Sequence, residues 1–509
     1  MFFILTNMKR LVFICCFLFT SSLLLAQSSI KFNKQYTLLY SLPSNAISIM
    51  PSNKSYVIYG STSDSSQFSG LRVAMTKIDS VGNLKWAKSY GKKGYDYNNV
   101  FFNGGGGASV PWGGFIGAGY IDTASGAWFR MALFRFDSNG DTLWTKQYRD
   151  SANLLGFYVK IARKCDYIIG GTWVNYAQTD YGYKIVLSKT DSIGNRLWLK
   201  TYSAAAGHYR AITGIDTCRD GGYVISSEDY DSNYVCGKKE TIMKVDSLGN
   251  LQWTKFITDP YCDAEFGGII SLKDGGYLVC GGQNTKPYNP PYTEPSPVLF
   301  MEKMNVAGNM VWSKTYGLPV MYEGFAVLMS VHELANGDII ACGNGDSTIN
   351  GCILKTDSLG NQKWLKYYNL PANNSYYLDD IESTADGGCV AAGTTGNPQN
   401  TWVVKTDSLG CADSTGCVYT GVEELEKTAD EVKLYPNPTN TEVTVETIIG
   451  ASETGFIYFY NMLGEQLLQE QLSNNKTVCN VSQLPQGIYF YRVKISGNPD
   501  ETGKLVIIR

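Results

Sequence analysis

Histidine is almost missing from this chain: His208 and His332 are the only two in 509 residues. With no Cys-x-x-Cys pair either, a zinc site is not expected. Charged residues are only 17% of the chain, 43 basic against 46 acidic. The basic ones do not cluster, so no nucleic-acid partner is expected. After the first 26 residues no apolar run is long enough to cross a bilayer as a helix. Gly-x-Ser-x-Gly, His-Glu-x-x-His and a phosphate loop ending in Lys-Ser/Thr are all absent. No metal, no cofactor and no catalytic residue is therefore expected, and the chain is read as a non-enzyme.

What the chain has in abundance is a repeat. The aspartates of an Asp-Ser-x-Gly turn stand at Asp79, Asp137, Asp191, Asp246, Asp357 and Asp407, with Asn305 in one weaker copy. Successive copies lie 58, 54, 55, 59, 52 and 50 residues apart. Seven residues after the first six of these positions comes a tryptophan: Trp86, Trp144, Trp198, Trp253, Trp312 and Trp364. Such a period signals a repeat architecture.

The segments flanking each turn alternate apolar and polar residues, as half-buried strands do; Lys184–Lys189 and Arg196–Tyr202 are examples. Asp first and Gly fourth suit a type I turn with a glycine bulge. The tryptophan is expected to pack between neighbouring sheets. A second element precedes each hairpin, as in Asp220-Gly-Gly-Tyr, Asp274-Gly-Gly-Tyr and Asp386-Gly-Gly-Cys, followed by a short apolar run. That run suits a strand buried on both faces. With one more short strand upstream there are four per unit, the blade of a β-propeller.

Seven turns but six tryptophan strands leave one strand missing. Phe32-Asn-Lys34-Gln-Tyr36 has the aromatic-x-Lys-x-Tyr spacing of Trp86-Ala-Lys88-Ser-Tyr90. The fold expected is therefore all-β, a seven-bladed propeller over 27–417 closed by the N-terminal strand.

Residues 1–26 read as a secretory signal peptide: Lys9-Arg10, then an apolar core, then small residues before Gln27. Removing it leaves 41 basic and 46 acidic residues and 11 of the 13 cysteines, an odd number. Cys411 and Cys417, five residues apart where the repeats end, are the best disulfide candidate in an exported protein. Cys280, Cys342 and Cys389 fall in the buried repeat strand and read as core. The polar run 418–432 reads as a linker. Residues 433–509 lack the repeat and alternate as about seven short strands, a small Ig-like β-sandwich.

The tail contains, in order, Leu434-Tyr435-Pro436-Asn437-Pro438-Thr439, Leu484-Pro485-Gln486-Gly487-Ile488-Tyr489 and Gly503-Lys504-Leu505-Val506-Ile507-Ile508-Arg509. It resembles the type A C-terminal sorting domain of the type IX (Por) secretion system of Bacteroidetes; Arg509 departs from the usual Lys. The resemblance implies that Tyr435, Pro436, Asn437, Pro438, Gly487 and Lys504 belong to a sorting motif read by the type IX machinery. It also implies export across both membranes, with the product released or anchored at the surface. The repeats resemble those of bacterial surface proteins with Asp-Gly-Gly-Tyr and Lys-Thr-Asp-x-x-Gly-Asn-x-x-Trp patterns.

In a four-stranded up-and-down blade the two repetitive turns share one face. The variable links lie on the other, where binding usually resides. That face carries Tyr176, Tyr181, Tyr183, Tyr230, Tyr234, Tyr288, Tyr292, Asp180, Asp229 and Asp231, suited to stacking and hydrogen bonding with a glycan or a protein. The adjacent acids Asp379 and Asp380 read as repeat structure, and the glycine run 104–107 as a flexible loop. A monomeric surface or secreted binding protein is the reading that follows. A polysaccharide-cleaving propeller enzyme and a structural envelope component are the alternatives.

Overall fold

The computed structural model describes residues 30–37, 44–52, 54–63, 71–92, 95–98, 105–123, 129–150, 152–175, 183–203, 208–231, 238–257, 265–284, 297–317, 325–346, 350–370, 376–396, 400–412, 432–447, 454–461, 465–473, 475–495 and 501–509. The chain divides into two compact units, Met1–Cys417 and Val418–Arg509. The expected signal peptide lies outside the described residues. Among the described residues no helix is long and apolar enough to cross a membrane.

Among its described residues the first unit is all-β apart from a single 3-10 turn, Arg163–Cys165. Its described strands form seven antiparallel sheets with the up-and-down order of a propeller. The third sheet is representative: Asn153–Ile161, Tyr167–Val174, Lys184–Thr190 and Arg196–Tyr202 lie side by side in chain order. The seventh takes Tyr376–Ser383, Cys389–Thr395 and Thr401–Thr406, and its fourth strand is Phe32–Tyr36 from the other end of the chain. Phe32 stands opposite Lys405 and Tyr36 opposite Thr401. The second and third strands of the sheets are largely buried, as their apolar runs require; all nine residues of Ser55–Ser63 are buried.

The second sheet departs from the pattern. Its inner strand is split into Tyr95–Asn98 and Gly107–Ser109, both pairing with Phe115–Thr123. The glycine run is therefore not a loose loop where it is described. Gly105 and Gly107 donate their N–H groups to Ser48 Oγ at 3.0 and 3.1 Å. A Cβ on Gly107 would sit 3.1 Å from the Tyr59 side chain. Glycine is needed there because two sheets approach too closely for a side chain.

The repeated hairpin turns out to be a clasp between sheets. Within each turn the first side chain, Asp or in one copy Asn305, accepts two main-chain N–H groups; Asp191 Oδ1 takes those of Ile193 (3.1 Å) and Asn195 (2.7 Å). The turn glycines have φ between +73° and +82°, the left-handed bulge expected. The tryptophan of one sheet lies on the turn glycine of the next: Trp86 on Gly140, Trp144 on Gly194, Trp198 on Gly249, and so on to Trp364 on Gly410. A Cβ at any of these glycines would lie 2.5–3.1 Å from the ring. Four residues after the tryptophan, a tyrosine hydroxyl donates to the same glycine's carbonyl: Tyr148 to Gly194 (2.8 Å), Tyr202 to Gly249 (2.7 Å) and Tyr368 to Gly410 (2.7 Å). Phe32 and Tyr36 do the same to Gly82, the hydroxyl at 2.8 Å. The N-terminal strand thus carries out the same clasp as the other fourth strands, except that of the fourth sheet, where Ile257 stands in the tyrosine's place.

Of the cysteines, Cys280, Cys342 and Cys389 are buried and free, as core residues should be. Cys411 is disulfide-bonded, while Cys417 lies outside the described residues.

The second unit is a two-sheet sandwich. Val432–Tyr435, Glu442–Thr447 and Lys476–Asn480 form one sheet; Gln466–Leu472, Gly455–Tyr460, Gly487–Ile495 and Glu501–Ile507 form the other. Val443, Val445, Ile457, Phe459, Val493, Leu505 and Ile507 are buried between them.

The clasp makes a quantitative prediction. Tyr148→Phe strands the Gly194 carbonyl and should cost about 1–2 kcal/mol. Gly194→Ala must hold a positive φ, roughly 1–3 kcal/mol, and also displace the Trp144 ring. Denaturant unfolding of the two variants checks the order: glycine should cost more than tyrosine.

Candidate active site

The inner strands of the seven sheets supply one residue each to a common level. Met50, Ala108, Lys160, Asp216, Ile270, His332 and Glu382 each stand opposite the second residue of the neighbouring strand, or the third in the first sheet: Val57, Ile116, Ile168, Val224, Leu278, Ile340 and Val390. All but Met50 are half-buried, whereas the preceding residues on the full-length inner strands, such as Ile215, Val331 and Ile381, are buried. Six of the inner strands carry a β-bulge just upstream, at Asp379 in the seventh sheet and Met329 in the sixth, for example. A bulge re-aims the residues that follow it. Two adjoining cavities of about 320 and 340 Å³ are lined jointly by these seven residues, within the range of ligand sites.

Polar groups fill one arc of this level. His332 Nδ1 lies 3.6 Å from Glu382 Oε2, and His332 Nε2 lies 3.4 Å from the Ser383 hydroxyl. One residue pair deeper, Asp380 is held by three donors: Ser330 Oγ (2.8 Å), Ile49 N (3.1 Å) and Ile381 N (3.0 Å). These bonds tie the seventh sheet to the sixth and to the first. Asp216 accepts Ser271 N at 2.9 Å, and Glu333 accepts Lys273 N at 2.7 Å, linking the fifth sheet to the fourth and sixth. Lys160 lines both cavities and has no hydrogen bond or ion pair among the described residues.

Electrostatics follow from placing these groups in a low-dielectric funnel. Burial, and then the Asp380 charge, push the Glu382 carboxyl up to about 8, against the pull of Lys160. Burial also raises Asp380 despite Lys160 and its donors, and raises Asp379 well above the carboxylate range with help from Asp380. His332 is lowered by burial first, then by Lys160 and Lys273, with Asp216 opposing. At neutral pH the level therefore holds a protonated carboxyl next to a neutral imidazole and a free ammonium. Pairs of groups whose environments push their pKa values in useful directions are characteristic of acid–base sites.

The residues singled out in the sequence lie elsewhere. Tyr176, Asp180, Tyr181, Tyr234, Tyr288 and Tyr292 fall outside the described residues. Tyr183 is half-buried, and its carbonyl accepts Arg210 N at 3.2 Å. Asp229 is buried and grips the Arg210 guanidinium with both oxygens. Tyr230 and Asp231 end the same strand, Tyr223–Asp231. The titratable level lies at the opposite end of the inner strands, beside the repetitive turns. Asp380, read as repeat structure, does bind a neighbouring sheet's main chain, much as Asp96 accepts Leu71 N at 3.1 Å. What sequence reasoning missed is that it also faces a cavity with Glu382, His332 and Lys160. The signal was present: at one position of the repeat, Met, Ala and Ile give way to Lys, Asp, His and Glu.

In the tail, the three sequence motifs meet. Asn437 Nδ2 donates to Lys504 O (2.6 Å), and Val506 N donates to Asn437 Oδ1 (2.9 Å). Thr439 and Ile508 extend this pairing through their main chains. The Arg509 guanidinium donates to Leu484 O at 2.7 Å, and the Tyr489 hydroxyl to Pro485 O at 2.7 Å. Tyr435 donates to Glu446 at 2.7 Å. Pro436 and Pro438 flank Asn437 on the surface, Lys504 is exposed, and Gly487 is half-buried. Residues 433–508 match the family described as the secretion system C-terminal sorting domain, Por_Secre_tail. The tail is a type IX sorting domain. The chain is accordingly exported by type IX secretion, to the cell surface or beyond it, and the sorting domain engages that machinery.

For the whole chain, no curated protein matches in sequence. Among solved structures, puromycin hydrolase is similar at 12% identity and TM-score 0.46 over 79% of this chain, which spans only 58% of that protein's length. The polysaccharide lyase Uly1 is similar at 9% identity and TM-score 0.45, over 76% of this chain and 94% of its own. The BP39L lectin of Burkholderia pseudomallei is similar at 10% identity and TM-score 0.44, over 72% and 97%. At such identities no activity is transferred. The expectation of a non-enzyme is nevertheless corrected: similar chains include, by name, a hydrolase and a lyase. Missing signatures do not exclude catalysis when a site is assembled from single residues on separate strands, which leave no local motif.

Two outcomes are expected. The folded state binds the Glu382 proton more tightly than the unfolded chain does. Its stabilising contribution is therefore complete below about 4.5, and it is lost as pH rises towards about 8. Thermal unfolding against pH should show that decline, and Glu382→Gln should flatten it. Deleting Gly503–Arg509 removes the partners of Asn437 and Thr439; cell fractionation should then find the protein retained in the periplasm, whereas continued secretion would contradict the role of these bonds.

Proposed function

We propose that residues 27–417 form a seven-bladed propeller closed by Phe32–Tyr36, joined by the linker 418–432 to the sorting domain, and that its channel cleaves extracellular polysaccharide by acid–base chemistry. The observation that supports this is the neighbourhood of Glu382, protonated at neutral pH, and His332, neutral, in a cavity open to solvent. Cleaving a glycosidic bond requires a proton donor for the departing oxygen and a group that removes a proton elsewhere. Glu382 serves as the donor and His332 as the acceptor. Asp380, fixed by three hydrogen bonds, keeps the Glu382 proton in place through its charge. Export supports the substrate class, since polymers too large to enter a cell are cut outside it.

The test is cleavage of a panel of neutral and acidic polysaccharides by the secreted protein, read as new reducing ends. Glu382→Gln should lower kcat/KM by about 10²–10⁴-fold, the usual contribution of a positioned acid, with unchanged circular dichroism. No cleavage across the panel would overturn the proposal.

A further inference from the structure

We propose that the sugar unit taken by this channel is a uronate whose carboxylate pairs with Lys160, and that the chain is broken by β-elimination rather than by hydrolysis. This rests on the channel being the active site.

The first support is the lysine itself. Lys160 lines both cavities, is half-buried, and has no hydrogen bond or ion pair among the described residues, although acids surround it. Lys273, the other cation of the cavity, is already engaged: its Nζ donates to Leu334 O at 2.5 Å. A half-buried ammonium left without a partner in a cavity is a place for an anion.

The second support is the shortage of free carboxylates. Hydrolysis by paired acids needs two, roughly 5–9.5 Å apart, one of them ionised and free to attack or to activate water. Here Asp380, Asp216 and Glu333 each accept a main-chain N–H from a neighbouring sheet. Only Glu382 is uncommitted, and its nearest polar neighbour is the imidazole. One acid, one neutral base and one free cation are the set that elimination requires.

The step balances without a co-reactant. Lys160 neutralises the uronate carboxylate, which makes the adjacent C5–H acidic. His332 takes that proton on Nε2. The freed electron pair forms the C4–C5 double bond, the C4–O bond breaks, and Glu382 gives its proton to the departing oxygen. The imidazolium and carboxylate so produced stand 3.6 Å apart; the Nδ1 proton passes to Glu382, and proton exchange with solvent returns the imidazole to its Nδ1–H tautomer.

The experiment gives the secreted protein three substrates: pectate and alginate as uronate chains, the same chains with their carboxyls reduced to alcohols, and a sulfated neutral glycan. Reducing ends report any cleavage, and ultraviolet absorbance of the conjugated enoate reports elimination. The uronate chains should give both signals in equal amounts, and the reduced and sulfated chains neither. Lys160→Met should lower kcat/KM on the uronate chain by about 10–100-fold, the loss of one charge-assisted hydrogen bond, with Lys160→Arg partly restoring it. Reducing ends without enoate, or equal cleavage of the reduced or sulfated chain, would overturn the uronate assignment and leave polysaccharide cleavage standing. Cleavage of none of them by the folded protein would overturn the uronate assignment; only silence on the wider panel of neutral and acidic glycans would overturn the channel as an active site as well.

Discussion

The contact on which the first unit depends is an aromatic ring lying on a turn glycine of the next sheet. It is one interaction repeated: Phe32 on Gly82, Trp86 on Gly140, and onward to Trp364 on Gly410. The glycine is required twice over, once for its positive φ and once because any Cβ would strike the ring. Where a tyrosine follows, its hydroxyl satisfies the glycine's carbonyl, so the clasp leaves no buried acceptor unpaired. Nearest-neighbour coupling of this kind gives a repeat protein its rigidity.

Clasping the sheets at their outer edge has a consequence for the middle. The inner strands are tied to one another by carboxylates that accept a neighbouring sheet's main-chain N–H, as in Ile49 N to Asp380 and Ser271 N to Asp216. Positions on the inner strands can then carry groups that would be costly in a core. Lys160, Asp216, His332 and Glu382 occupy such positions; burial and then the Asp380 charge raise Glu382, and burial and then the Lys160 and Lys273 charges lower His332. The charge of Lys160 opposes the rise of Glu382 and deepens the fall of His332.

Much of the scaffold was legible in the sequence. The Asp-Ser-x-Gly spacing gave the hairpins, because turn chemistry is local. Phe32, Lys34 and Tyr36 could be assigned as a displaced fourth strand because the clasp uses the same aromatic-x-Lys-x-Tyr pattern each time. The tail motifs were recognisable as three short local runs, which the fold joins through side-chain donors on main-chain carbonyls, Asn437 to Lys504 and Arg509 to Leu484. The channel site was not legible in the same way. Its residues come from sheets three, four, six and seven, one per strand, with no local signature. The glycine run at 105–107 was misread for a related reason: its partner, Ser48, is 57 residues away. Long-range convergence leaves a trace only as departures from the repeat at equivalent positions.

The central claim is that the channel keeps a neutral imidazole within the field of Lys160. With only two histidines in the chain, a nuclear magnetic resonance titration of the imidazole signals reads it directly, His332→Gln supplying the assignment. The account predicts that His332 titrates below the ordinary 6.5 and moves back up in Lys160→Met. A His332 that titrates at the ordinary value and ignores the loss of Lys160 would contradict it.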